Sequence, residues 1–543
     1  VSYEYLCSLY YGEGSNADLT SRESRDKVHV ATDLDELVAA LLKSGRDVVL
    51  TGNPGDGKSH LARRLQDRGA LGGVELISDL SERDTREVVN TWRALSAKRR
   101  RVLLCGNEGP LRELIEVMRE DNTTRELSKE IDAQIGRLVT DDAQRLPAEP
   151  HAVTLIDLAD RSVLGVPLIE GVLRKVSSEE FLPPVGAVAA ETSAGRNLLM
   201  LQDAEVRARL ARLLALAGRR LEEHVTFREL WAAVAYAVSA AKTPNTLRVE
   251  LSQLEEGVWL SPLDNLQNPR GRGRLIEAAR AFVDPARLPW PELDEALWST
   301  GEPSSGQWLC DFSPGEPPER LWGRGKRDEA LEKQRQLKRF VAIAHTRGER
   351  LIAEFERTAP LPSEVGDDAL RAEVALGLRR LYLTEREESS APAWLASGVP
   401  LWLGFSYEAN AVEARPHVAV RAIPEVEFTV RRPMRAPWLG GALGPLPEVA
   451  WLHHGASGAS LRVEPSLLGA LRQAIGSTGP LMVPERAYRF LARVAGADES
   501  ARDVKARAED FAVLDRPRGR VLAAEQVVRR ADGGASYGRA AQG

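Results

Sequence analysis

Leu34, Leu37, Val38, Leu41 and Leu42 recur at the i, i+3, i+4, i+7, i+8 spacing of one helix face. Thr32 stands where an N-cap belongs, and Gly45 where such a helix ends. The pattern then shifts. DVVLT is a short apolar run, as in a buried strand, and HLARRL after it repeats apolar residues at Leu61 and Leu65, as in a helix. Three later runs read as parallel strands buried on both faces, each apolar and bounded by polar residues. GVELISDLSERD ends at Asp79, RRVLLCGNEGPL at Asn107 and Glu108, and HAVTLIDLADRSVL at Asp157 with Arg161 just beyond.

After Leu199 the period becomes helical. DAEVRARLARLLALAG is amphipathic and ends on Gly218. In HVTFRELWAAVAYAVSAAK, Thr226 and Glu229 form a T-x-x-E capping box, and Val225 with Leu230 the matching hydrophobic staple. This sets a helix start at Thr226 and puts Arg228 in the first turn. From Leu260 to Trp322 proline and glycine are dense, as in irregular connections with short helices. RDEALEKQRQLKRFVAIAHTRGERLIAEFER reads as one charged helix, with Lys333, Arg335, Lys338 and Arg339 on a solvated face rather than a nucleic-acid contact. Beyond Ala391, PHVAVRAI, VEFTVRR and EVAWLHH alternate like strands, and EPSLLGALRQAIG returns to a helix capped at Ser466. His453 and His454 read as a loop pair, since no carboxylate or cysteine lies at ligand spacing. The tail from Arg516 carries six arginines against Glu525 and Asp532, and its end has a disordered composition. The chain therefore divides into a core (1–198), a helical lid (199–259), an irregular and charged helical region (260–390), a mixed α+β domain (391–515) and the tail (516–543).

Composition narrows the class. A chain of 543 residues is too long for one core, and 43% hydrophobic with 28% charged residues fits an ordinary soluble protein. The net charge of −6 argues against a surface coated for nucleic acid, so any such contact is local or indirect. Cys7, Cys105 and Cys310 lie far apart, which suits a reducing cytoplasm and neither a disulfide framework nor a zinc site. No apolar run reaches membrane-spanning length, and the first residues lack the order of a signal peptide.

GNPGDGKS, Gly52 to Ser59, matches the GxxxxGK[ST] pattern between a strand and a helix. Gly55 and Gly57 let successive N–H groups turn into one concavity, and the helix N-terminus adds its partial positive charge there. Lys58 is placed for the β- and γ-phosphates and the Ser59 hydroxyl for Mg²⁺. Asn53, Pro54, Asp56 and His60 complete the expected ATP contact. The fold class expected is α/β: a P-loop NTPase core with a parallel sheet, a helical lid and a C-terminal mixed α+β domain.

Hydrolysis needs an acid near the metal and a group that orients water. In open parallel sheets ligands sit at the carboxyl ends of strands, where Asp79, Asn107, Glu108 and Asp157 fall. Two assignments compete. Either Glu108 activates water with Asn107 beside it, which the distance from Lys58 favours, or Asn107 senses the γ-phosphate while Asp79 handles the metal. Asp79 and Asp157 are also well placed simply to cap the helices after their strands.

A parallel-sheet core followed by a small helical domain resembles the AAA+ ATPases. GNPGDGKSHL, NEGPL, DLADRSVL, VTFRELW and FVDPARLPWPELDEALW occur in that order. As a set, over residues 30 to 345, they resemble the ATPase subunit of DNA-phosphorothioation-dependent restriction systems and related ATPases of bacterial anti-phage defence. The resemblance implies a Mg²⁺-dependent ATPase acting as motor or switch among other subunits of a restriction complex; the alternative is a nucleotide-gated scaffold that binds ATP and recruits an effector with little turnover. It implies that Arg228 contacts the γ-phosphate. It also implies a homo-oligomer or partner ATPase, in which Arg161 at the sheet rim reaches a neighbour unless it pairs locally with Asp157 or Asp160. The second strand's Asn-Glu departs from the usual Asp-Glu.

Overall fold

The computed structural model describes residues 2–12, 21–138, 149–221, 223–253, 260–291, 327–358, 360–403, 417–477, 484–497, 512–515 and 520–523. The chain forms two compact units, Val1–Arg357 with Met434–Pro447, and Thr358–Pro433 with Glu448–Gly543. The composition change read near Ala391 thus lies inside the second unit.

The first unit opens with α1 (Ser2–Tyr11), α2 (Arg22–Val28) and α3 (Asp33–Lys43). Thr32 caps α3 in a reciprocal box with Asp35, and Gly45 follows the helix at φ +86°. Next come β1 (Asp47–Thr51), α4 (Lys58–Asp67), β2 (Val74–Ile77), α5 (Thr85–Ala97), β3 (Arg101–Cys105), α6 (Glu108–Glu120), α7 (Arg125–Leu138) and β4 (Val153–Asp157). The four strands make an all-parallel sheet in the order β2-β3-β1-β4. Side chains alternate across a strand, so β1 feeds two cores. Val49 and Leu104 join Trp92, Leu111 and Ile131 under α5, α6 and α7, while Val48, Leu50 and Leu103 join Val38, Leu61 and Leu65 under α3 and α4. Each such fully buried side chain contributes about 1.5–3 kcal/mol. Burial on both faces is why these runs are continuously apolar.

The helical part follows: α8 (Val166–Val176), α9 (Ser193–Met200), α10 (Ala204–Arg219) and α11 (Phe227–Ser239). The Thr226–Glu229 capping box forms as the sequence requires. Gly218 is not a stop signal: α10 runs on to Arg219, and a Cβ at Gly218 would come within 2.4 Å of Leu164. It is glycine for close packing.

Residues 260–291 hold two short helices, Pro262–Gln267 and Arg274–Phe282, joined by irregular chain as their prolines and glycines predict, and 292–322 lie outside the described residues. The charged stretch breaks into two helices, Arg327–Ala344 and Glu349–Thr358. At the break, a Cβ on Gly348 would lie 2.4 Å from the Ala342 carbonyl. Lys338 and Arg339 do not lie on a solvated face. Both are buried, and Arg339 donates to Asp284 at 2.8 and 2.9 Å and to Asp264 at 3.3 Å. Charge pattern alone cannot distinguish a solvated arginine from one whose partners lie far away in sequence.

In the second unit, β5 (Gly398–Leu403), β6 (His417–Pro424), β10 (Ala512–Asp515) and β11 (Arg520–Ala523) form an antiparallel sheet in the order β11-β10-β6-β5. β7 (Phe428–Arg431), β8 (Ala450–His454) and β9 (Ser460–Val463) form a second antiparallel sheet. Part of the arginine-rich tail is therefore strand; residues 516–519 and 524–543 lie outside the described residues. His453 and His454 end β8 rather than forming a loop. The helix Pro465–Ile475 starts one residue before Ser466, with Glu464 at the cap and Pro465 at N1, where its missing N–H costs nothing. Among the described residues no helix is long and apolar enough to cross a membrane.

Candidate functional site

β1 ends at Thr51, and the chain turns sharply into α4 through residues that sit at positive φ: Gly52 at +130°, Gly55 at +99° and Gly57 at +91°. Two of these glycines are also forced by space. A Cβ on Gly52 would meet Asp56 Oδ2 at 2.8 Å and the Ala159 nitrogen at 2.9 Å, and one on Gly55 would meet Arg228 Cβ at 3.0 Å. The loop borders a cleft of about 290 Å³ at the carboxyl ends of β1, β2 and β3.

Lys58 opens α4 and turns inward. Its Nζ donates to the carbonyls of Gly52 at 3.0 Å and Asn53 at 2.8 Å. Burial pulls its pKa below the ordinary lysine value, against the pull of Asp56, Asp79 and Asp157. Ser59 donates from Oγ to the Ser78 carbonyl at 2.8 Å, so its hydroxyl lies one residue from Asp79. Pro54, Gly55, Gly57, Lys58, Ser59 and His60 line the cleft. Asn53 and Asp56 act behind it: Asp56 is buried and accepts the Asn53 N–H at 2.6 Å, while its other oxygen lies 2.6 Å from His224 Nε2.

The strand-end polar residues separate. Asp79 lines the cleft and also accepts from the Ser81 N–H at 2.9 Å. Asn107 lines it too, at the N-cap position of α6 but without a side-chain capping bond. Glu108 is not among the lining residues. Its carboxylate is well exposed and pairs with Arg112 one turn along α6. Asp157 caps the turn after β4 through the Ala159 N–H at 2.9 Å, and burial raises its pKa, with Asp160, Asp56 and Glu108 adding to the rise. The structure thus brings Lys58, Ser59, Asp79 and Asn107 to one cleft and leaves Glu108 outside it.

Arg161 and Arg228 both line the cleft. Arg161 is not held at an open rim and makes neither expected local pair: its Nη2 donates to Thr32 Oγ1 at 3.2 Å, and its guanidinium carbon lies 5.2 Å from the Phe227 ring centroid. Burial lowers its pKa, with Asp35 and Asp56 opposing. Arg228 is tied in by main chain, its N–H donating to the Gly55 carbonyl at 3.1 Å.

His60, expected here from the sequence, has a partner in His29 that was not. His29 Nδ1 lies 3.3 Å from His60 Nε2, and His29 Nε2 lies 3.0 Å from Asp35 Oδ1. Burial, reinforced by His29, pushes the His60 imidazole down to about 4, so it is neutral at pH 7. Its contact with His29 then needs one ring nitrogen to donate and the other to accept. Tyr5, Phe227 and Trp231 add aromatic lining. The sequence signal was slight: one histidine before an N-cap and one after GKS.

No group of three or more His, Cys, Asp or Glu among the described residues could hold a metal by itself. Mg²⁺ is usually bound by one or two carboxylates together with substrate phosphates. Ser59 and Asp79 are the protein groups suited to it. Compared with known proteins, the chain matches no protein-family model, no curated protein and no solved structure.

Proposed function

We propose that the first unit is a P-loop ATPase core of the AAA+ kind, binding ATP with Mg²⁺ and hydrolysing its γ-phosphate. The observation that carries this reading is the fold of GNPGDGKS as strand, positive-φ turn and helix, with Lys58 turned into the cleft and Ser59 beside Asp79. The loop N–H groups and the α4 N-terminus supply an anion cradle. On nucleotide binding, Lys58 exchanges the Gly52 and Asn53 carbonyls for phosphate oxygens, a gain because a buried ammonium bonds more strongly to an anion than to neutral carbonyls. When bound, Mg²⁺ neutralises charge on the phosphates. Of the two acid assignments, the geometry favours Asp79 on the metal side with Asn107 on the γ-phosphate, because Glu108 faces solvent. Arg161 and Arg228 supply further positive charge within the same cleft, and the aromatic and histidine lining suits a flat base.

The wider role, a motor or switch in a multi-protein anti-phage restriction complex related to phosphorothioation-dependent systems, rests on the ordered motifs alone. The nucleotide-gated scaffold remains the second reading, favoured by the outward-facing Glu108. ATP binding and phosphate release, measured on wild type and Lys58→Ala with and without duplex DNA, decide between them. Turnover lost in Lys58→Ala and stimulated by DNA supports the motor. Tight binding with negligible turnover supports the scaffold. Wild-type ATP affinity in Lys58→Ala, at an unchanged melting profile, overturns both.

A further inference from the structure

The second unit carries a row of side chains with no part in the nucleotide cleft. In the β7-β8-β9 sheet, Phe428, Leu452 and Leu461 point into the core. The opposite face follows from the register. Arg431 pairs with Trp451 and Trp451 with Arg462; one step along, Thr429 pairs with His453 and His453 with Ser460. Directly paired residues stand about 4.5–5.5 Å apart at Cβ, so Arg431, Trp451 and Arg462 form one line across three strands. Both arginines are exposed and Trp451 is half-buried. Among the described residues, Trp451 is not one of those packed against the core of its unit. Trp451 thus stands on the outer face, in register between Arg431 and Arg462.

Ion pairs flank the row. Glu464 is buried and is shared by Arg462, at 2.8 Å, and Arg486, so one carboxylate meets two guanidinium groups. Arg432 is engaged with Asp367 at 2.6 Å, and Glu427 with His454 at 3.2 Å. His453 Nδ1 lies 3.0 Å from Ser460 Oγ, which orients its ring. Two residues along a strand span about 6.8 Å, so Trp451 and His453 offer two flat rings in succession on one face.

We propose that the outer face of β7-β8-β9 is a platform for single-stranded nucleic acid, with bases stacked on Trp451 and His453 and phosphates met by Arg431 and Arg462. Aromatic rings recognise any base by its π-face, and arginines beside them neutralise the backbone. A duplex keeps its bases stacked inside and would leave Trp451 without a ligand. An acidic peptide would use the arginines but not the rings. None of these residues lines the nucleotide cleft.

The test is fluorescence anisotropy of the full chain with a labelled oligothymidine of about 12 nucleotides, within the usual span of such sites. Trp451→Ala is expected to weaken binding by about tenfold or more, in keeping with the usual value of one base–aromatic stack, while Trp451→Phe retains most of it. Arg431→Gln is expected to lower the salt slope by about one, the sign of a lost phosphate contact. Lys58→Ala should bind the strand as wild type does, which separates this result from the fate of the ATPase reading. Equal binding by Trp451→Ala overturns the proposal. So does equal competition by a duplex, by an abasic strand of the same length or by polyglutamate. Should Trp451→Ala fail to fold, Arg431→Gln and Arg462→Gln decide: an unchanged affinity and salt slope in both overturns it.

Discussion

The main-chain N–H of Arg228 donates to the carbonyl of Gly55 at 3.1 Å. Asp56, the next loop residue, meets His224 at 2.6 Å just before the same helix. The glycine loop and the start of α11 are therefore joined at two points. The capping box at Thr226 does more than begin a helix: it fixes the direction in which the Arg228 N–H points.

Gly55→Ala tests that junction. The new methyl would stand 3.0 Å from Arg228 Cβ at a φ of +99°. Expected are a stability loss of about 1–2 kcal/mol, from positive φ and crowding together, and a larger loss of ATP affinity. Thermal melting and nucleotide titration measure the two. Wild-type ATP affinity in this variant would show that the loop does not need its present shape.

Asp79→Asn is expected to abolish phosphate release while ATP still binds. Glu108→Gln should change turnover less than about threefold, since a pair as exposed as Glu108–Arg112 contributes well under 1 kcal/mol. Single-turnover hydrolysis of both variants is the measurement. The reverse result would restore Glu108 as the acid, brought in by a rearrangement of the first turn of α6.

Arg161 touches Thr32 and the Phe227 ring inside its own cleft. Its removal should therefore act within one chain. Mixing Arg161→Ala with Lys58→Ala protein is expected to restore no turnover, whatever the oligomeric state by light scattering. Recovery in the mixture would place Arg161 across an interface.

Asp264 gives a pH signature unconnected with the cleft. Burial pushes its pKa up to about 7, against bonds from Ser261 and Arg339. An unfolded aspartate titrates near 4, so between about pH 4 and 7 the folded state holds more protons at this group than the unfolded state. Its contribution to stability thus weakens as pH rises through that window, by at most about 1.4 kcal/mol per pH unit. Asp264→Asn should flatten the dependence and still accept the Ser261 N–H, while Arg339 keeps Asp284. Denaturant melts at pH 5 and pH 7.5 check it; an unchanged difference between the two would reject it.

Periodicity and caps determined much of the first unit. Continuous apolar runs dictated strands buried on both faces, and Thr32–Asp35 and Thr226–Glu229 closed as capping boxes because such boxes use only residues three apart. GNPGDGKS likewise carried its own turn, since its glycines answer to local backbone sterics. Long-range geometry decided the rest. Asp79, Asn107 and Glu108 look alike at the ends of apolar runs; only the path of β3 into α6 aims Asn107 at the cleft and Glu108 away. Arg339, a surface charge by its neighbours in sequence, is buried because Asp264 and Asp284 reach it. The alternation of EVAWLHH placed Trp451 in a strand, but its flanking arginines came from strand pairing, a register that no single segment contains.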